Sequence, residues 1–220
     1  MNKYNCIIFI KKNCKYCDQF VKIVRKKFIV SKIIFDHEKN IKNKIKKKPD
    51  FIFCFRSKII LKKNILNKAK LYCINFHPGP PEYRGIGCLN YAIYNNEKFY
   101  GATCHIINEK IDNGKIIDVK YFKILKKDDL QIILNKTYKS MIALSKKFIM
   151  KIKNNSEISF IESNKYKWSK TIKNKKYLEK FYEIKLNSSK TNFNKKIRAT
   201  VIGKYRPYIK FYNKKFILDI

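Results

Sequence analysis

The chain has 220 residues, of which 45% are hydrophobic, including 16 Phe and 15 Tyr. That is enough apolar material for one globular domain with a small appendage, and it excludes a disordered polyelectrolyte in spite of a formal charge of +36. No run approaches the ~20 apolar residues of a membrane-spanning helix. The charge by itself names no partner. Five of the 52 basic residues are Arg (25, 56, 84, 198 and 206) and the rest are Lys, spread evenly with Asn, Ile and Tyr as a biased genome would produce. Specific nucleic-acid binders group Arg and aromatic side chains on one face instead.

The N-terminal "MNKYNCIIFIKKNCKYC" contains an apolar run too short for a signal-peptide core, so a cytoplasmic location is expected. "YNCIIFI" has strand length, and after it Cys17, Phe20, Val21, Val24 and Phe28 recur at helical spacing. "KIIFD" and "DFIFCF" read as buried strands separated by an exposed basic connection. "LKKNILNKAK" reads as a helix leading into another strand, "LYCINF". The order predicts an α/β fold with a Rossmann-like, mostly parallel sheet covered by helices. "GCLNYAIYNN" follows as a helix, and "YGATCHII" and "KIIDVKYFKI" as strands on either side of a turn. From Asp128, read as an N-cap, apolar residues recur at helical spacing to Ile152. The predicted catalytic domain spans 1–153. A short C-terminal appendage spans 154–220, its end read as short strands turning at Asn213. Seven cysteines, an odd number in apolar surroundings, fit reduced thiols.

Residues 74–117 break the monotony of the chain. His77 directly follows a strand, where open parallel sheets place their ligands, and Asn75 lies two residues earlier on the same side. The loop "PGPPEYRGIG" is stiff and able to approach a ligand closely. Asp112 falls in the turn between the next two strands. A carboxylate brought to that rim would orient the imidazole and raise its basicity, while the Asn amide steadies an oxyanion. Such a set suits attack of an amine on a carbonyl without a covalent intermediate. Arg84 is read as a brace donating to loop carbonyls, and His37 and His105 as structural.

The stretch "INFHPGPPEYRGIG…YGATCHIINEKIDNGKII" resembles the formyltransferases that use 10-formyltetrahydrofolate, including methionyl-tRNA formyltransferase and the amino-sugar N-formyltransferases. The shared pattern is Asn-x-His-Pro, a loop ending Tyr-Arg-Gly, a Gly-Val-Thr-like strand, then Asp-x-Gly. The resemblance implies His77 as proton-transfer residue, Asn75 as oxyanion donor and Asp112 as the group that orients His77. It also implies folate along Ile59, Ile60 and Leu61 and against Asn108, Glu109, Lys110, Ile111 and Asp112. No metal is implied, and the acceptor is a primary amine, either methionyl-tRNA or a nucleotide-linked amino sugar. The loop after His77 is one residue shorter than the commoner form, Asn113 stands where Thr is usual, and the C-terminal piece is shorter than a full tRNA-gripping domain. Two other readings compete. One is a non-catalytic basic protein on the same scaffold that binds RNA or a membrane. The other is a dithiol oxidoreductase built on Cys14-Lys-Tyr-Cys17, a Cys-x-x-Cys at the start of a helix. Oligomeric state is not legible.

Overall fold

The apolar runs pair side by side in the computed structural model, which describes residues 3–152 and 165–219. Strand β1 (Tyr4–Ile10) is parallel to β2 (Phe28–Phe35) on one side and to β3 (Phe51–Phe55) on the other. Strand β4 (Tyr72–His77) extends the parallel set beyond β3. The two-residue strand β5 (Arg84–Gly85) lies outside this sheet. Strands β6 (Phe99–Ile106) and β7 (Ile116–Lys123) close the far side antiparallel, giving the order β2-β1-β3-β4-β6-β7. The sheet is mostly parallel and flanked by helices, as the sequence predicts.

Alternation along each strand decides what each face meets. Ile8 and Ile10, Phe51, Phe53 and Phe55, and Ile74 and Phe76 share one apolar cluster with Phe20 and Phe148. Those last two come from helices α1 (Lys15–Arg25) and α5 (Leu130–Lys151). The Phe20 ring stacks on Phe55 with centroids 4.6 Å apart and meets the edge of Phe76 at 5.3 Å. On the opposite face Ile7, Phe9, Ile52 and Cys54 pack with Leu61 and Ile65. Two single turns lie in the connections there: α2 (Ile41–Lys44) and α3 (Lys63–Leu66). Along β4 and β6 that second face carries Cys73 at its start and then Asn75, His77, Thr103 and His105. The second apolar layer therefore reaches only Cys73, and a polar surface begins at Asn75, where the sheet turns antiparallel.

The structure departs from the sequence reading at three places. Helix α1 ends at Arg25, and Phe28 opens β2. Its ring still packs on Phe51 and Phe53, each at 5.2 Å, so its burial was legible but its element was not. The N-cap of α5 is Asp129, whose carboxylate accepts from Ile132 N; Asp128 accepts from Leu125 N at 2.8 Å and pairs with Lys136. Part of the tail read as strand is helical. After helix α4 (Cys88–Tyr94) and strand β8 (Ile172–Lys173) come α6 (Lys175–Phe181) and α7 (Lys190–Thr200), capped by Asn174 and Ser189. The expected turn at Asn213 is present. Strands β9 (Tyr208–Phe211) and β10 (Lys214–Ile217) form a hairpin through Tyr212 and Asn213, with φ of 45° and 59° as a type I′ turn demands.

Phe181 and Ala199 of the C-terminal segment share a cluster with Leu89, Ile93, Tyr100 and Ile133 of the preceding chain. The predicted division between 153 and 154 lies outside the described residues. Among the described residues no helix is long and apolar enough to cross a membrane.

Candidate active site

His77 is the last residue of β4, at the carboxyl end of the parallel strands, and Asn75 precedes it on the same face. Register does the rest. Antiparallel pairing sets Asn75 opposite His105 and His77 opposite Thr103. The β6–β7 connection then carries Asp112 back over the same face. Asp112 adopts φ 43°, a left-handed conformation that aspartate tolerates better than most residues.

The three residues predicted from sequence are brought together, with His105 as a fourth member. Asp112 Oδ1 stands 3.4 Å from His77 Nδ1 and 3.7 Å from His105 Nε2. Its Oδ2 accepts the Gly85 backbone N–H at 3.0 Å. Asn75 Nδ2 lies 3.1 Å from His105 Nε2, and His105 Nδ1 lies 2.8 Å from the Ile106 carbonyl. A carbonyl only accepts, so the neutral His105 ring carries its proton on Nδ1, and Nε2 accepts from the Asn75 amide. This arrangement fixes the Asn75 side chain and leaves its second N–H unused by His105. By the same argument His77 Nε2, 3.0 Å from the Tyr83 carbonyl, bears the proton of the neutral ring. Its Nδ1 lone pair then faces the Asp112 carboxylate.

Burial governs the electrostatics. His77 and Asp112 are 3% and 9% exposed. Burial holds the His77 pKa below its usual value, although Asp112 and the Tyr83 carbonyl pull the other way. Burial alone would raise Asp112, but His77, His105 and the Gly85 N–H outweigh it, and the carboxyl is held well below the usual range. The resting site is thus a neutral imidazole beside a committed carboxylate, ready to take up one proton at Nδ1.

The Pro/Gly loop is pinned by Tyr100 Oη donating to the Pro78 carbonyl at 2.9 Å and Thr103 Oγ1 donating to the Gly79 carbonyl at 2.7 Å. A Cβ at Gly79 would lie 2.8 Å from His77 Nε2, so only glycine lets the loop pass this close. Arg84 braces carbonyls, as expected, but those of other segments. Nη1 donates to Ser169 and Nη2 to Ile111, with Asn113 Oδ1 as a further acceptor.

The predicted folate-contacting residues form two neighbouring segments. Ile59, Ile60 and Leu61 line an open cavity of about 350 Å³ together with Lys39, Ile41 and Ile65. Asn108 caps a turn by accepting from Lys110 N at 3.0 Å, and Glu109 reaches Lys63 of α3 at 3.6 Å, next to that cavity. Ile111 is 44% exposed. None of Asn75, His77 or Asp112 lines the cavity itself.

Two residues at the site escape the sequence reading. His105 is taken there as structural, yet it holds the Asn75 amide. Trp168, the one tryptophan of the chain, comes from the C-terminal segment and stands edge-on to both imidazoles. Its ring centroid is 5.0 Å from His105 and 5.8 Å from His77, and its Nε1 donates to the Gly114 carbonyl at 2.7 Å. Pairing of β8 with β5 and the Ser169 N–H bond to the Pro81 carbonyl lay this segment across the site. Its only sequence signal is a single tryptophan in a Lys-rich stretch.

A family model described as Formyl transferase matches residues 18–145. The chain belongs to this family. It is 38% identical over 143 residues to the bifunctional polymyxin resistance protein ArnA of Wigglesworthia glossinidia brevipalpis, covering 61% of this chain and 22% of that one. Against the methionyl-tRNA formyltransferase of Clostridium tetani it is 42% identical over 77 residues, covering 34% and 25% of the two chains. It therefore spans about a quarter of the length of these curated relatives. Among solved structures, a 4-N formyltransferase from Francisella tularensis superposes with a TM-score of 0.77 at 21% identity, covering 99% of this chain and 97% of that one. The N-formyltransferase from Helicobacter canadensis, solved with folinic acid and dTDP-3-aminofucose, gives 0.70 at 19% identity over 97% and 86%. These likenesses establish a shared fold along almost the whole chain.

Proposed function

We propose that the protein is an N-formyltransferase that moves a formyl group from 10-formyltetrahydrofolate to a primary amine, with a nucleotide-linked amino sugar as the favoured acceptor. The observation that carries the reading is the meeting of an amide, an imidazole and a carboxylate on one polar sheet face, in a chain of the formyl transferase family. In this reading the amine attacks the formyl carbon and the free N–H of Asn75 holds the developing oxyanion. His77 takes the proton that the amine loses, and Asp112 stabilises the resulting imidazolium. Collapse of the tetrahedral species returns a proton to the departing folate nitrogen. Folate is assigned to the two segments 59–61 and 108–112.

Support for the sugar acceptor comes from the fold neighbours that match this chain end to end, which include a sugar N-formyltransferase from Shewanella at a TM-score of 0.74. Trp168 also packs edge-on to both imidazoles, so the C-terminal segment covers this side of the site. Methionyl-tRNA is the alternative acceptor, and it shares the same chemistry. The test supplies 10-formyltetrahydrofolate with a dTDP-linked amino sugar and, separately, with methionyl-tRNA, and follows the formyl amide by mass spectrometry. Transfer to the sugar that falls about 10²–10⁴-fold in His77→Ala or Asn75→Ala supports the reading. Transfer that is indifferent to both substitutions, or absent with both acceptors, overturns it.

A further inference from the structure

Formyl transfer leaves Cys14 and Cys17 unused. Cys14 follows β1 at the carboxyl rim of the sheet and serves as the N-cap of α1, its Sγ accepting the Cys17 N–H at 3.4 Å. An oxygen side chain is usual there. Arg56, just past β3, reaches the same sulfur: Nη1 donates to Cys14 Sγ at 2.8 Å while Nη2 donates to Tyr138 Oη at 2.8 Å. The guanidinium lies 3.7 Å over the Tyr138 ring, and Arg56 adopts a left-handed φ of 56° to arrive there. The cation is thus held against a thiol and a phenol rather than a carboxylate, and a thiolate is the species it stabilises.

The two sulfurs are unequal. Cys17 is 0% exposed and its thiol points at the Phe55 carbonyl, whereas Cys14 is 7% exposed beneath the exposed Lys11, Lys12 and Lys15. N-cap and N3 positions are one helical turn apart, within the Cα separation of about 4.4–6.8 Å that a disulfide spans. We propose that Cys14 and Cys17 form a redox-active dithiol that small anionic disulfides of the glutathione class oxidise to an intramolecular disulfide.

The other thiols lack these features. Burial pushes Cys6 and Cys73 up to about 12, and raises Cys54, Cys88 and Cys104 as well. Burial acts on Cys14 too, but the Cys17 thiol and N–H and the Arg56 charge outweigh it and bring Cys14 down. Cys17 is pushed up to about 12 by burial and by its neighbour Cys14, as befits a resolving thiol that waits. The Cys14 thiolate attacks one sulfur of the disulfide, forming a mixed disulfide and expelling one thiolate. Cys17 then gives up its proton to solvent and attacks the Cys14 sulfur, expelling the second thiolate. The dithiol loses two electrons and the small disulfide gains them. Oxidation also removes the sulfur anion from Arg56, which lies three residues before Ile59.

The test incubates the full chain with oxidised glutathione, quenches with acid, alkylates the remaining thiols and maps peptides. The expected product links Cys14 to Cys17 and leaves the other five cysteines alkylated. Cys17→Ser stops at a glutathione adduct on Cys14. Cys14→Ser, which keeps an N-cap oxygen, abolishes the linkage. Arg56→Met slows the reaction about threefold, because a tenfold smaller thiolate fraction is partly offset by the greater nucleophilicity of a more basic thiol. Unmodified Cys14, adducts scattered over the other cysteines, or a rate unchanged in Arg56→Met would each overturn the proposal. The readout needs no formyl transfer, so it stands or falls apart from the proposed function.

Discussion

Replacing Asp112 by Asn changes one atom and removes the charge that faces His77. The Asn carbonyl can keep the Gly85 N–H bond, so Oδ2 is replaced in function. Its amide nitrogen then takes the position 3.4 Å from His77 Nδ1 and donates to that lone pair, occupying the site where a proton must arrive. A unit charge pair at 3.4 Å interacts by about 5 kcal/mol at an effective dielectric constant of about 20. Relaxation around the new amide returns part of this, leaving roughly 3–4 kcal/mol. The expected loss in kcat/KM is therefore on the order of 10²–10³. The assay is formyl transfer measured across about pH 5 to 9, with a ¹⁵N titration of the His77 ring alongside. In the wild-type chain the rate rises with pH through a midpoint below the ordinary histidine value of about 6.5, since burial holds His77 neutral. In Asp112→Asn that midpoint moves lower still, because the attraction opposing burial is gone. A folded Asp112→Asn variant with an unaltered midpoint and an unaltered rate would refute the reasoning.

The lone Trp168 reports on the site directly, because an imidazolium beside an indole quenches its fluorescence. Emission is expected to fall as the pH drops through a midpoint below about 6.5, and His77→Gln should diminish that step while leaving the nearer His105 ring in place; a flat titration of the wild-type chain would contradict the packing. His77 and Asp112 both bind protons less readily folded than unfolded. Folding stability should therefore fall as the pH drops below about 6.5 and again below about 3.9, and chemical denaturation of Asp112→Asn should show a smaller second decline. Glu38 and Asp128, also held below the usual carboxylate range by Lys44 and Lys136, still contribute to it. His105→Phe removes the acceptor that holds Asn75 and should lower kcat more than it raises KM, which steady-state kinetics would separate. Phe20→Ala opens a cavity between α1 and the sheet and should cost about 3–5 kcal/mol, read by denaturant titration with no shift in the pH midpoint.

What the sequence disclosed follows from locality. Strands β1 to β4 were legible because alternating Ile and Phe write their own two faces, and α5 because its apolar stripe runs over six turns. Asn75 and His77 were legible because two positions apart on one strand is a geometric statement. His105 was not, since its meeting with Asn75 depends on the antiparallel register of β4 and β6, which residue patterns alone do not fix. Trp168 was further out of reach. It lies 91 residues beyond His77, and the β5–β8 pairing that delivers it is two residues long. The last five residues of α7, "KIRAT", fall in the tail expected as short strands because Ile197, Thr200 and the following Val201 are β-branched, while the Ser189 cap and the packing of Ala199 in the third cluster favour the helix.

The most direct measurement is a crystal structure of the protein with 5-formyltetrahydrofolate, a donor analogue that binds without transferring. The account predicts the formyl oxygen within hydrogen-bonding distance of Asn75 Nδ2, the formyl carbon open on the His77 side, and the pterin against residues 59–61 and 108–112. A formyl group remote from Asn75, or folate seated instead in the cavity between Tyr94 and Lys196, would contradict it.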